Sequence, residues 1–132
     1  MKKLSLDENL KIKRTFTLAL ESHEKNNFRI ARNLYLDILK INPHHVEANY
    51  NLGLVFQEFR EFNKAKDFYQ KAINIKHDYV DAHNNLGLMF RELDDLKSAK
   101  RCYQKAIQID PNNINAIFNL GIVFKELGEF QK

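Results

Sequence analysis

A 34-residue recurrence constrains this chain more than any other feature. The tripeptide Asn-Leu-Gly stands at Asn51, Leu52, Gly53, again at Asn85, Leu86, Gly87, and again at Asn119, Leu120, Gly121. Self-similarity at a period of about 20–50 residues marks arrays whose units bury their apolar faces against one another. Residues 46–79 and 80–113 align without a gap, residues 114–132 open a further copy, and residues 12–45 form a more divergent one.

Each copy can be counted as positions 1 to 34. Position 7 is Leu18, Leu52, Leu86 and Leu120; position 8 is Ala19, Gly53, Gly87 and Gly121. Position 11 is Ser22, Phe56, Phe90 and Phe124, and position 17 is Phe28, Phe62, Leu96 and Phe130. Ala31, Ala65 and Ala99 share position 20, and Tyr35, Tyr69 and Tyr103 share position 24. Position 27 is Ile38, Ala72 and Ala106, and position 32 is Pro43, His77 and Pro111. The spacings 4, 7, 8, 11 and 20, 24, 27 each follow one face of an α-helix, so every unit holds two amphipathic helices. Small residues at 8, 20 and 27 let helices approach, and large ones at 7, 11, 17 and 24 fill the space between them. A helical Gly costs roughly 1 kcal/mol relative to Ala, so its recurrence calls for a close helix contact. Prolines 43 and 111 break the chain between units.

The pattern predicts seven helices, near 6–25, 28–40, 46–59, 62–75, 80–93, 96–109 and 114–127. Ser5 and Glu8 read as a capping box for the first. Glycines number 4 and prolines 2, too few for the turns of an all-β fold. Hydrophobic residues at 44% supply a core. Glu129 to Lys132 fall where another second helix would begin, so this chain is either part of a longer array or capped by its last helix. The uncovered apolar face of the first case is an association hazard.

These matching positions resemble the tetratricopeptide repeat, over nearly the whole chain from Ile12 to Lys132. The resemblance implies an all-α, right-handed superhelix (an α-solenoid) of antiparallel helix pairs, in a single array. It also implies a non-catalytic scaffold that binds an extended peptide or a partner helix in its concave groove. The first copy departs from the pattern at Ala19, Ser22 and Ile38, as terminal units often do.

Leu and Gly of the tripeptide are packing residues, whereas the Asn at position 6 lies off the packing stripe. Positions 2, 5, 6, 9, 12 and 13 of each first helix fall on the other side, which lines the concave surface of a stacked array. Asn51, Asn85 and Asn119 would form a ladder there, with Thr17 at the equivalent place in the first copy. An amide both donates and accepts, so it can pair with a peptide backbone without reading side chains. Neighbouring helices sit about 8–10 Å apart and an extended chain covers roughly 3.3–3.6 Å per residue. One Asn for every two or three peptide residues is therefore feasible. The ladder is similar to that in the repeat region of O-linked N-acetylglucosamine transferases, where asparagines hold a peptide backbone. The plain alternative is an Asn that merely suits a solvated helix face.

The remaining groove positions give Tyr50, Asn84 and Phe118 at position 5, with Phe16 in the first copy, and Leu54, Leu88 and Ile122 at position 9. Position 12 adds Arg91 and Lys125, and position 13 adds Glu58 and Glu92 between Glu24 and Glu126. Glu47 and Asp81 stand at position 2 against Lys13. This groove is acidic at its edge although the chain carries a net charge of +4, so the expected partner is a neutral to basic extended peptide. A clamp for a chaperone's C-terminal carboxylate would need cations at positions 2, 5 and 6, where only Lys13 qualifies.

Other classes find little support. The cations are scattered, so no nucleic-acid partner is expected. No apolar run approaches 18 residues, so no membrane span is expected. The lone Cys102 fits a reducing, cytoplasmic setting. It lacks a base and an oxyanion site at recognisable spacing. The histidines show no metal-ligand spacing and read as loop and surface residues, so no metal or cofactor is expected. No enzyme signal emerges from the residues. Two alternatives to the scaffold reading stay open: self-assembly into a homo-oligomer through the chain ends, and an accessory segment of a larger enzyme such as a glycosyltransferase.

Overall fold

A computed structural model describes residues 3–128. Among them are seven α-helices: α1 (Leu6–Glu24), α2 (Phe28–Ile41), α3 (Val46–Glu58), α4 (Phe62–Ile75), α5 (Val80–Glu92), α6 (Leu96–Ile109) and α7 (Ile114–Glu126). The boundaries fall within one residue of those expected. Ser5 caps α1 as a full capping box with Glu8. Phe130, expected at a packing position, lies outside the described residues.

Two kinds of turn repeat along the chain, and each has a local cause. Every first helix ends with position 15 in the left-handed region: Asn26 at φ 62°, Arg60 at 59°, Asp94 at 64° and Gly128 at 73°. In the first three, the N–H of position 16 reaches the carbonyl of position 11, as Asn27 to Ser22, Glu61 to Phe56 and Asp95 to Phe90. With the companion bonds Asn26 to His23, Arg60 to Gln57 and Asp94 to Arg91, this is a Schellman closure. The turn between units is latched from position 4. Asn49 Nδ2 donates to the carbonyls of Pro43 and His45, and His83 Nε2 lies 2.9 Å from the carbonyl of His77. Both side chains are buried for that reason.

Packing follows the repeat. Tyr35, Tyr69 and Tyr103 are fully buried, as are Ala31, Ala65, Ala99, Ala72 and Ala106. Gly53 and Gly87 lie under the rings of Tyr69 and Tyr103; an added Cβ would come within 2.4 Å and 2.8 Å of them. The close approach expected of these glycines is thus onto the position-24 tyrosine of the same unit. Leu52 and Leu86 are buried at position 7, but Leu18 is 53% exposed. On α7, Ile114, Ile117 and Phe118 are 79%, 50% and 67% exposed, and no described residue lies within 4 Å of where a Cβ on Gly121 would be.

Candidate groove on the first helices

Helices α3, α5 and α7 carry the side chains expected to line the groove. Asn51, Asn85 and Asn119 are all half-buried on them. Asn85 Nδ2 donates to the Tyr50 hydroxyl at 2.9 Å, tying the middle rung to the preceding unit. Among the described residues, the side chains of Asn51 and Asn119 make no hydrogen bond. Leu54, Leu88 and Ile122 are half-buried beside them at position 9, and Glu58, Glu92 and Lys125 are exposed.

Position 5 departs from the expectation. Phe16 packs on His45 with ring centroids 5.3 Å apart, and Tyr50 packs on Tyr79 at 4.8 Å. In the third unit, Asn84 and Asn113 take those two places, and Asn84 Nδ2 donates to Asn113 Oδ1 at 3.0 Å. The side chain at position 5 is therefore paired with the one at position 34, which is the N-cap of the next first helix. Asn84 is only 8% exposed and does not present its amide to the groove. Its Oδ1 is buried without a partner.

A second pairing joins positions 12 and 24. His23 Nδ1 lies 3.0 Å from the Tyr35 hydroxyl, and the Tyr69 hydroxyl donates to Gln57 Oε1 at 2.7 Å. Arg91 instead reaches across to Glu126, with Nε to Oε1 at 2.6 Å, and the buried Tyr103 hydroxyl is left without a partner among the described residues. Arg91 is thus neutralised within the array, while Glu58 and Glu92 keep the edge of the surface acidic. Burial, followed by the charge of Asp81, pushes the Tyr50 phenol up to about 12, so it is neutral when it accepts from Asn85.

The histidines are less superficial than their sequence context suggested. His83 is buried at the α4–α5 turn, and His45 Nδ1 accepts from the Ala48 N–H as the cap of α3. His23 is half-buried against Tyr35 and Phe28. Sequence reasoning missed the pairings of positions 5 with 34 and 12 with 24 because each joins two positions from different elements. The signal was present in the repeat: positions 5 and 34 change from aromatic to amide together. Cys102 is buried and its thiol is pushed up to about 12 by burial, so it is a poor nucleophile. Among the described residues no three His, Cys, Asp or Glu side chains are grouped to hold a metal ion, and no helix is long and apolar enough to cross a membrane.

Comparison with known proteins fits this geometry. Tetratricopeptide repeat family profiles match residues 46–79, 80–113 and 102–132. No curated protein gives a significant sequence match. Among solved structures, the first tetratricopeptide domain of Spaghetti (RPAP3) bound to the HSP90 peptide SRMEEVD superposes with a TM-score of 0.86 at 18% identity, over 90% of this chain and 94% of that one. MamA gives 0.86 at 24% identity, over 89% and 69%. An O-GlcNAc transferase from Thermobaculum terrenum gives 0.81 at 19% identity, over 92% of this chain and 23% of the enzyme. At these identities the structures speak for the fold, a solenoid of helix hairpins. With the three profiles together spanning residues 46–132, the chain belongs to the tetratricopeptide repeat family.

Proposed function

We propose that this chain is a protein-interaction scaffold that holds an extended peptide along α3, α5 and α7. The observation that carries the reading is the pair of half-buried amides, Asn51 and Asn119, which have no partner within the described residues and stand beside the apolar Leu54 and Ile122. Each could exchange a donor and an acceptor with a peptide backbone. Asn85 keeps its carbonyl for the same purpose, while Tyr50 and Tyr69 hold its amide N–H₂. The apolar flanks would take side chains, and the exposed Glu58 and Glu92 favour a neutral or basic peptide. The structural neighbour with an HSP90 peptide holds an acidic one, SRMEEVD. Here the positions that would meet such a carboxylate carry Glu47 and Asp81, so the same fold is set for a different charge.

The test is selection from a random peptide library on the wild type and on Asn51→Ala/Asn85→Ala/Asn119→Ala. Enrichment on the wild type, lost in the triple variant at unchanged helicity, supports the reading. Equal enrichment by both would reduce the asparagines to surface residues. A second reading, association of copies through α7, rests on the exposure of Ile114, Ile117 and Phe118. Light scattering over a range of concentrations separates it: a strict monomer removes it.

A further inference from the structure

A cavity of about 290 Å³ opens between α4, α5 and α6. Ile73, Leu86, Phe90 and Cys102 form its apolar wall, and Ser98, Arg101 and Lys105 lie at its α6 side. The preceding unit shows what fits such a space. At its equivalent place, Phe68 stacks on Phe56 with centroids 5.5 Å apart and planes 10° from parallel. Phe56 and Phe90 share position 11, and Phe68 and Cys102 share position 23. The cavity is therefore beside Phe90 where, one unit earlier, a phenyl ring sits. An apolar cavity of roughly 150 Å³ is enough to take benzene.

The charge at its edge has also changed. Asp67 stands one unit earlier where Arg101 stands here, while Lys71 and Lys105 are equivalent. Lys66 Nζ lies 5.8 Å from the Phe90 ring centroid, adding a third cation. The Asp95 carboxylate accepts from the Ser98 N–H and hydroxyl at 3.2 and 2.8 Å and also faces Arg101 and Lys66, so three cations against one anion leave this edge net positive. Arg101 itself donates to Ser98 Oγ at 2.9 Å, which holds its guanidinium over this edge.

We propose that this cavity is a second docking site, which takes an aromatic side chain followed by acidic residues from a partner protein. The ring would stack on Phe90 as Phe68 stacks on Phe56, and the carboxylates would meet Arg101, Lys105 and Lys66. The site shares no lining residue with the proposed groove and does not depend on the asparagines. It also takes the opposite charge class.

The test uses three short capped peptides, Phe-Asp-Asp, Ala-Asp-Asp and Phe-Ser-Ser, titrated into the intact chain and followed by amide chemical shifts. The expected result is saturable binding of Phe-Asp-Asp, at least tenfold tighter than either control, with the largest shifts at Phe90, Arg101 and Cys102. Cys102→Phe and Arg101→Asp install the residues of the preceding unit. Each should weaken binding at least tenfold, and Cys102→Phe should leave the melting temperature unchanged or raised. Equal binding of Ala-Asp-Asp, unchanged binding by both variants, or no saturable shift at these residues would overturn the proposal. If Cys102→Phe does not fold, Arg101→Asp and the control peptides decide it.

Discussion

Gly53 lies so close beneath the Tyr69 ring that an added Cβ would stand 2.4 Å from Cε1 and 2.5 Å from Cδ1. The ring is fully buried and cannot swing out of the way. Gly53→Ala therefore gains about 1 kcal/mol of helix propensity but loses more to overpacking, typically 1–3 kcal/mol. Urea unfolding should show a net loss for Gly53→Ala. Gly121→Ala, whose Cβ would meet none of the described residues within 4 Å, should be neutral or stabilising by up to about 1 kcal/mol. Similar losses at the two sites would show that helix contact is not what keeps the glycines.

The two orphaned atoms of the third unit predict an unusual contrast. Tyr69 donates to Gln57, whereas the Tyr103 hydroxyl is buried without a partner. Tyr69→Phe should cost about 1 kcal/mol, the net worth of a hydrogen bond. Tyr103→Phe removes an unsatisfied buried group and should be neutral or stabilising. Matched thermal melts of the two variants check the difference.

Arg60 adopts a left-handed φ of 59° at the close of α3, a conformation that costs a non-glycine residue roughly 1–2 kcal/mol. Its guanidinium stands 5.1 Å from the Phe62 ring centroid, an exposed contact worth about 0.5–1 kcal/mol. Arg60→Gly loses that contact and makes the unfolded chain freer, so the expected gain is small, about 0.5 kcal/mol. Asn26→Gly, where Asn already tolerates φ 62°, should gain less.

Much of this architecture was legible in the sequence because helix spacing and repeat spacing reinforce each other. The capping box at Ser5 and Glu8, the helix boundaries and the buried tyrosines followed from local chemistry. Asn84 did not. Whether position 5 faces a ligand or the interior depends on its partner at position 34, and an amide there finds Asn113 rather than solvent. Leu18 shares a repeat position with the buried Leu52 and Leu86 and is nevertheless exposed, which repeat spacing alone does not predict. The sequence context of His45 and His83 suggests surface residues, because their contacts, a helix cap and a turn carbonyl, are made by geometry and not by spacing.

His23 and His45 predict acid sensitivity. Burial lowers the pKa of His23 and of His45 below 6.5, against smaller opposing effects of Glu58 and Glu24 on the first and Glu47 on the second. Below 6.5 the unfolded chain then binds more protons than the folded one, so stability falls as pH drops from about 6.5 and levels off once the folded groups also protonate. Protonated His45 Nδ1 can no longer accept from Ala48. His23→Gln/His45→Asn keeps an acceptor at both places and should flatten the stability curve between about pH 6.5 and 5, read by urea midpoints across that range.

The central claim is that a peptide lies on α3, α5 and α7 through the asparagine amides. The most direct measurement is amide and side-chain NMR on the chain with a library-selected peptide that lacks aromatic residues. The account predicts that the side-chain N–H₂ signals of Asn51 and Asn119 shift on binding, with Leu54 and Ile122 moving alongside. Those of Asn85 should shift less, since Tyr50 already holds that amide. Saturable binding that leaves the Asn51 and Asn119 signals in place would contradict it.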